Sequence, residues 1–289
     1  MKGLRTLLTQ PGLFNVPGIF DGVSARIADQ MGFPILYMTG YGVVASGLGL
    51  PDTGLATYTE MVGFIRMLAD IVGAPIIADG DAGYGAPENI ERTVRGYEAA
   101  GAAAIQIEDQ CFPKRSAHAA VFHGVASREE ATARIRAAVA SRRSRDFLVI
   151  ARTDARRSDG LDEALHRGDL FLRAGADLLF IEGPETYEEV RRIAATFKGT
   201  PLVINMVRGG RTPLISSKEL AILGYKIALA PVDALLAAAH AIREVYGHLE
   251  RYGIDDNAGA PMLNLQAMGA LMDPPATDIS NASRSMASS

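Results

Sequence analysis

Short apolar runs alternate with amphipathic stretches from Phe14 to Tyr246. The runs Phe14–Phe20, Ile35–Met38, Pro75–Ala78, Ala103–Ile107, Phe147–Ala151, Asp177–Ile181, Pro201–Ile204 and Lys226–Ala230 read as buried strands. Residues 22–32, 57–73, 87–100, 127–142, 161–174, 186–197, 216–223 and 232–250 read as helices. Ser127 ahead of Glu129 and Glu130, and Pro87 ahead of Glu88, mark helix starts. Gly32, Gly73, Gly101, Gly175, Gly199 and Gly224 close helices before the next strand. Repeated strand–helix pairs predict a parallel sheet with helices on its faces. Eight pairs within about 240 residues predict an α/β fold, a closed (β/α)8 TIM barrel, rather than an open doubly wound sheet. Residues 258–272, rich in Met, Leu and Ala, predict one more helix, and the Pro- and Ser-rich end from Asp273 predicts a disordered tail. The expected division is a catalytic barrel over residues 1–252 and a C-terminal helical extension and tail over 253–289.

In a barrel the active site lies where the strands end. The residues just past the predicted strands are Asp21, Thr39-Gly40-Tyr41, Asp79 with Asp81, Glu108-Asp109, Arg152-Thr153-Asp154, Glu182-Gly183, Asn205 and Pro231. The opposite ends carry mostly Gly, Pro, Ala and Phe, with Asp177 and Lys226 as exceptions. Contact with solvent alone makes any strand end polar, but it does not make one end so much more charged than the other. The densest point is Pro75-Ile-Ile-Ala-Asp79-Gly-Asp81-Ala-Gly-Tyr-Gly85. In an extended strand Asp79 and Asp81 point to one face, and two anions that close call for a hard divalent cation such as Mg²⁺ or Mn²⁺. Asp and Gly are also ordinary turn residues, so the segment alone leaves a plain turn open.

The rest of the set makes chemical sense beside a cation. Asp79, Asp81 and Glu108 offer oxygen ligands. Arg152 offers a planar fork for a carboxylate, and Thr39, Gly40 and Tyr41 can offer backbone N–H groups to another. Glu182 and Asn205 can orient an oxygen or a water. A cation flanked by carboxylate-binding groups points to a 2-oxo or 2-hydroxy acid, with the cation polarising the C2 oxygen and stabilising an enolate.

Bulk properties narrow the class. The 289 residues carry 29 basic and 33 acidic side chains, and a net charge of −4 argues against a nucleic-acid surface. Cys111 is the lone cysteine, so no intrachain disulfide is expected. The start MKGLRTLLTQPGLF lacks the apolar run of a secretion signal, and no stretch reaches the roughly 18 apolar residues of a membrane span, so the expected location is the cytoplasm. The loop Gln110–Gly124 is longer than the usual strand-to-helix connection and predicts a lid, where Lys114, Arg115 and His118 can meet an anion. Cys111 reads as packing, and Leu48-Gly-Leu-Pro-Asp52 as a structural turn ending in an acid.

Taken with Thr39-Gly40, Leu48-Gly-Leu-Pro-Asp52, Asp79-Gly-Asp81-Ala-Gly-Tyr-Gly85, Ile107-Glu-Asp-Gln110, Lys114-Arg-Ser-Ala-His118, Ala151-Arg-Thr-Asp-Ala155 and Asn205-Met-Val-Arg-Gly-Gly-Arg-Thr-Pro213, the chain resembles the phosphoenolpyruvate mutase/isocitrate lyase superfamily along nearly its whole length. The resemblance implies an α/β barrel whose eighth helix is swapped between paired subunits, often in a homotetramer built as a dimer of dimers. It implies Mg²⁺ on Asp79, Asp81 and Glu108 with Asp52 near the metal waters, a substrate carboxylate on Thr39, Gly40 and Tyr41, and Arg152 at the reacting oxygens. It implies making or breaking a C–C or P–C bond next to a 2-oxo group.

Three positions in two segments depart from the pattern. The lyases that act on 2-methylisocitrate and related malates carry Cys-Gly-His in the lid, where the thiol protonates the leaving enolate; here Ser116 and Ala117 precede His118. Ser116 is a far weaker acid. Arg208 stands where related sequences often carry Glu, and at the mouth it can meet a further anionic group. The expected function is therefore a Mg²⁺-dependent carbon–carbon lyase or decarboxylase acting on a small 2-oxo or 2-hydroxy di- or tricarboxylate of the oxaloacetate or substituted malate type. The alternatives are a phosphonate enzyme of the same superfamily, such as a carboxyphosphonoenolpyruvate mutase or phosphonopyruvate hydrolase, and an inactive barrel kept as a binding protein. Gly40-Tyr-Gly42-Val-Val-Ala45 also fits a dinucleotide fingerprint, but the acid expected about 20 residues on, at the end of a second strand, is missing.

Overall fold

A computed structural model describes residues 3–114, 122–254 and 259–273. The eight strands are β1 (Phe14–Ile19), β2 (Leu36–Met38), β3 (Ile76–Asp79), β4 (Ala104–Glu108), β5 (Leu148–Thr153), β6 (Leu178–Ile181), β7 (Leu202–Asn205) and β8 (Tyr225–Ala230). They pair in sequence order, all parallel, and β8 closes on β1 through Phe14 opposite Ile227. Closure leaves no switch point between diverging strands, so the dinucleotide-type crevice has no place to form.

The helices follow the predicted order: α2 (Gly22–Gln30), α4 (Tyr58–Ala69), α5 (Pro87–Ala99), α6 (Arg128–Ser141), α8 (Leu161–Arg173), α9 (Tyr187–Thr196), α10 (Ser217–Leu223) and α11 (Asp233–Tyr252). Ser127 caps α6 by accepting from the Glu130 amide, and Pro87 opens α5. Three short helices carry no periodic signal and escape prediction: α1 (Leu4–Leu8), α3 (Gly40–Val43) and α7 (Ala155–Asp159). A single π-helical turn, Val44–Leu48, continues α3. The predicted helix over 258–272 is shorter than expected: α12 spans Leu265–Met272, started by Asn264, whose side chain accepts from the Ala267 amide.

The barrel interior is apolar, with Val16, Ile35, Ile77, Leu148, Ile150, Leu178, Phe180, Val203 and Ile227 in one cluster. Leu4 and Leu7 of α1 belong to the same cluster. The two charged exceptions at the strand starts are both engaged: Asp177 pairs with Arg5 at 2.9 Å and Arg142 at 2.6 Å, and Lys226 donates to the Gln10 and Gly12 carbonyls.

The seam between β1 and β8 is tight. A Cβ on Gly18 would fall 2.5 Å from the Pro231 carbonyl carbon and closer still to its oxygen. Both are backbone atoms that cannot swing aside. Gly18→Ala should therefore cost at least about 3 kcal/mol of stability, read as a shifted urea midpoint. A midpoint like that of the wild type would show that the seam is looser than this.

By internal contacts the chain divides into two compact units, Met1–Leu236 and Ala237–Ser289. The first holds the barrel. In the second, no residue of α11 is buried, and Ile242, Tyr246, Leu249 and Tyr252 are exposed. Among the described residues no helix is long and apolar enough to cross a membrane.

Candidate active site

A cavity of about 280 Å³ opens where the strands end. Asp79 closes β3, Glu108 closes β4, Arg152 stands near the end of β5 and Asn205 closes β7; all four line it. Tyr37 of β2, Thr39, Tyr41, Asp52, Gln110, Lys114 and Arg208 add to its polar wall. Thr39 caps α3 by accepting from the Gly42 amide at 3.3 Å. The first-turn amides of a helix have no intrahelical acceptor, which leaves Gly40 and Tyr41 as backbone donors; the expected Thr39 amide is instead taken by the Ile19 carbonyl at 3.2 Å, because it continues the pairing of β2 with β1. Gly40 sits against Asp79: a Cβ there would lie 2.6 Å from Asp79 Oδ2.

The Asp79–Asp81 pair differs from expectation. Strand β3 stops at Asp79, and Asp81 takes φ of 48°, the left-handed region, so the two side chains do not share the face of an extended strand. Asp79 Oδ1 instead accepts from the Asp81 amide at 3.1 Å, and Gln106 Nε2 reaches the same oxygen at 3.4 Å. Gln106 is in turn fixed by the Tyr37 hydroxyl at 3.3 Å. Asp81 lies off the cavity wall and meets the Lys114 ammonium, which also pairs with Asp52 at 2.8 Å.

Lys114, expected in the lid as a partner for an anion, is engaged by the protein's own Asp52 and Asp81. It is only 5% exposed. Burial works against its charge, but Asp81, Asp52, Asp79 and Glu108 outweigh burial and hold its pKa well above the ordinary lysine range. Burial pushes the Asp81 carboxyl up to about 7, with Lys114 pulling it back and Asp79 and Asp52 adding to the rise. Burial likewise raises Glu108 well above the usual carboxylate range against the pull of Arg152. A signal for Lys114 is present in the sequence: seven acids, Asp21, Asp79, Asp81, Glu108, Asp109, Asp154 and Glu182, follow the predicted strands, with Arg152 the one cation among them.

Arg152 also differs from expectation. Its fork is taken by the protein itself: Nε and Nη2 donate to Asp154 Oδ2 and Oδ1, each at 2.8 Å. Glu108 lies at 3.5 Å and Glu182 at 3.9 Å from the same guanidinium, and the Phe180 ring packs 5.2 Å below it. Asn205 Nδ2 donates to Glu182 Oε2 at 2.9 Å, which ties Glu182 to the cavity although it does not line it. Arg208 lies on the turn Val207–Gly210 after β7. The predicted lid is pinned at its base by an antiparallel bridge between Gln110 and Val125. Arg115, Ser116 and His118 lie outside the described residues.

Among the described residues, no three carboxylate, imidazole or thiol groups form a ready-made coordination sphere, and Lys114 pairs with Asp81 and Asp52 within the acid cluster. The donor set nevertheless fits a hard divalent cation. Glu108 Oε1 is buried with no hydrogen-bond partner, and Asp79, Asp52 and Asp81 add only carboxylate oxygen. An orphaned, buried carboxylate oxygen is costly unless a positive charge meets it.

Comparison with known proteins agrees with this architecture. Residues 4–249 match the family model described as phosphoenolpyruvate phosphomutase. The chain is 45% identical to 2,3-dimethylmalate lyase of Eubacterium barkeri over 90% of this chain and 88% of that one. It superimposes on oxaloacetate acetylhydrolase in complex with the product oxalate with TM-score 0.89, at 37% identity, covering 97% of this chain and 96% of the other. It superimposes on phosphonopyruvate hydrolase in complex with oxalate and Mg²⁺ with TM-score 0.82, at 30% identity, covering 98% and 95%. Shared sequence over nine-tenths of its length and a shared closed barrel make this chain a member of the phosphoenolpyruvate mutase/isocitrate lyase superfamily.

Proposed function

We propose that the protein is a divalent-metal-dependent lyase, or decarboxylase, that breaks a C–C bond in a small 2-oxo or 2-hydroxy di- or tricarboxylate. The observation that carries the reading is the orphaned Glu108 Oε1 in a cavity that also holds Asp79, Asp52 and Arg152. Asp79, Glu108 and Asp81 would hold Mg²⁺ or Mn²⁺, with Asp52 on its water side. Bound there, the metal supplies Lewis acidity toward the substrate's C2 oxygen. The Gly40 and Tyr41 amides, with the Thr39 hydroxyl as a further donor, receive a substrate carboxylate. Arg152 places positive charge beside the reacting oxygens. Asn205 and Glu182 orient the polar end of the substrate, and Arg208 stands at the mouth. Ser116 stands where related lyases carry the thiol that protonates the leaving enolate, and His118 is a candidate to meet an anion in the same loop.

The test incubates the protein and Mg²⁺ with oxaloacetate, 2,3-dimethylmalate, 2-methylisocitrate and phosphonopyruvate and reads products by NMR. Cleavage of at least one carboxylate substrate, stopped by chelation, is expected. Turnover of phosphonopyruvate alone would favour the phosphonate reading, and no turnover at all would favour a binding protein.

Ser116 has its own test. A positioned acid that the reaction needs is worth a factor of ten or more, about 1.4 kcal/mol of barrier. On oxaloacetate we expect Ser116→Cys to change kcat less than about tenfold, because water can protonate the product enolate. A gain of about tenfold or more on a malate-type substrate would instead show that the enzyme lacks the acid its reaction wants.

The same reading includes a cytoplasmic location and a dimer of dimers in which the C-terminal helices are exchanged, with residues 1–252 as the catalytic barrel. The support for the assembly is the exposed apolar side of α11, the exposed Leu263 just before α12 and the exposed Leu265 at its start. Truncation after Tyr252 should lower the solution mass by light scattering or make the chain insoluble. A soluble truncated chain of unchanged assembly state would overturn the packing of residues 258–272 on a neighbouring subunit.

A further inference from the structure

We infer that Asp154 is a positioning residue that holds the Arg152 guanidinium off Glu108 and so keeps a Glu108 oxygen available to a divalent cation. The inference rests on the reading that Glu108 holds that cation.

Three carboxylates surround the guanidinium at graded distances. Asp154 closes both prongs of the fork at 2.8 Å. Glu108 Oε2 stands 3.5 Å from Nε, and Glu182 Oε2 stands 3.9 Å from Nη2. Only the Asp154 contacts have hydrogen-bond length. Asp154 is itself immobilised. Its amide donates to Asp109 Oδ1 at 2.9 Å, and Gln110 Nε2 donates to its Oδ1 at 3.2 Å. Asp109 is anchored by the Thr153 hydroxyl at 2.7 Å and by Arg167 of α8 at 3.1 Å. Every member of this chain is buried. Nothing in it touches the cavity except Arg152 and Gln110.

The cost of this arrangement appears at Glu108. Its Oε1 is buried with no partner although a guanidinium stands close to the other oxygen. Left to itself, a planar fork closes on a neighbouring carboxylate in bidentate fashion. Without Asp154 the nearest carboxylate to Arg152 is Glu108. Arg152 would then occupy the oxygens a cation needs, and cation binding would require breaking that pair.

The test is Mn²⁺ titration of the full chain by electron paramagnetic resonance, for the wild type, Asp154→Ala, Arg152→Gln and the double variant. Removing a group that orients a metal ligand typically weakens the metal about 10- to 100-fold, and Asp154→Ala is expected in that range. In the Arg152→Gln background the same change should matter less than about twofold, because the competing fork is gone. Asp154→Asn, which keeps an acceptor for Nη2, should fall between wild type and Asp154→Ala, and it carries the same cycle if Asp154→Ala does not fold. Wild-type affinity in Asp154→Ala, or an equal loss in both backgrounds, would overturn the inference; the latter would reveal a merely structural role. A wild type that binds no Mn²⁺ would instead remove the reading that Glu108 holds a cation, a distinguishable result.

Discussion

Glu108→Gln should leave a folded barrel that turns over its substrate at least about a thousandfold more slowly, a loss of about 4 kcal/mol of transition-state stabilisation. The substitution keeps the shape of the side chain and removes only its charge. That charge is expensive where it is: Glu108 is 3% exposed, burial drives its pKa well up, and one oxygen has no partner. Replacing a poorly paired buried charge by a neutral isostere seldom destabilises, so the melting temperature should stay within a few degrees of wild type. Arg152 keeps its bidentate partner Asp154, so no second charge is left stranded. Stability and activity thus move apart in this variant, as expected of a group kept for chemistry rather than for packing. Mn²⁺ affinity should fall together with kcat. If more than a tenth of the activity survives, Glu108 does not hold the cation.

The barrel was legible because its signal is repeated. Seven of the eight apolar runs are followed by a polar residue, and six of the eight helices end near a glycine such as Gly101 or Gly175, which take φ of 101° and 100° and so suit a residue without a side chain. The site was legible in part for the same reason: Asp79, Glu108, Arg152 and Asn205 all sit at strand ends, and closing the barrel brings strand ends together. What could not be read were contacts that depend on loops. Lys114 meets Asp52 and Asp81 across a turn whose path no periodicity encodes. The Asp81 geometry is hidden because β3 ends at Asp79 and the extended alternation does not continue to residue 81, where one left-handed residue redirects the side chain completely. Arg152 was seen as a free fork because its partner, Asp154, lies only two residues on, where a continuing strand would point both side chains the same way without saying whether they touch. Short helices such as α3 and α7 are below the length at which a periodic pattern can show itself.

Gly40→Ala should lower kcat about a hundredfold while barely changing the urea midpoint, because the added methyl strikes a functional side chain and not the backbone. Its Cβ would lie 2.6 Å from Asp79 Oδ2 and 3.0 Å from Asp79 Cγ, so one of the two must move. Gly40 is held in place as the first residue of α3, behind the Thr39 cap. Asp79 can give way only by breaking its bonds to the Asp81 amide and to Gln106. The carboxylate therefore shifts by a substantial fraction of an ångström, and a misplacement of about 1 Å at a reacting centre costs about a hundredfold. Gly18→Ala provides the contrast, since there the same methyl meets the Pro231 backbone and the penalty falls on folding. Mn²⁺ affinity distinguishes the causes: displacement of Asp79 should weaken it, whereas disturbance of the Gly40 and Tyr41 amides alone should raise KM and leave the cation bound as before. A Gly40→Ala enzyme with wild-type kcat would mean that Asp79 has room to spare, and its place as a cation ligand would fall with that result.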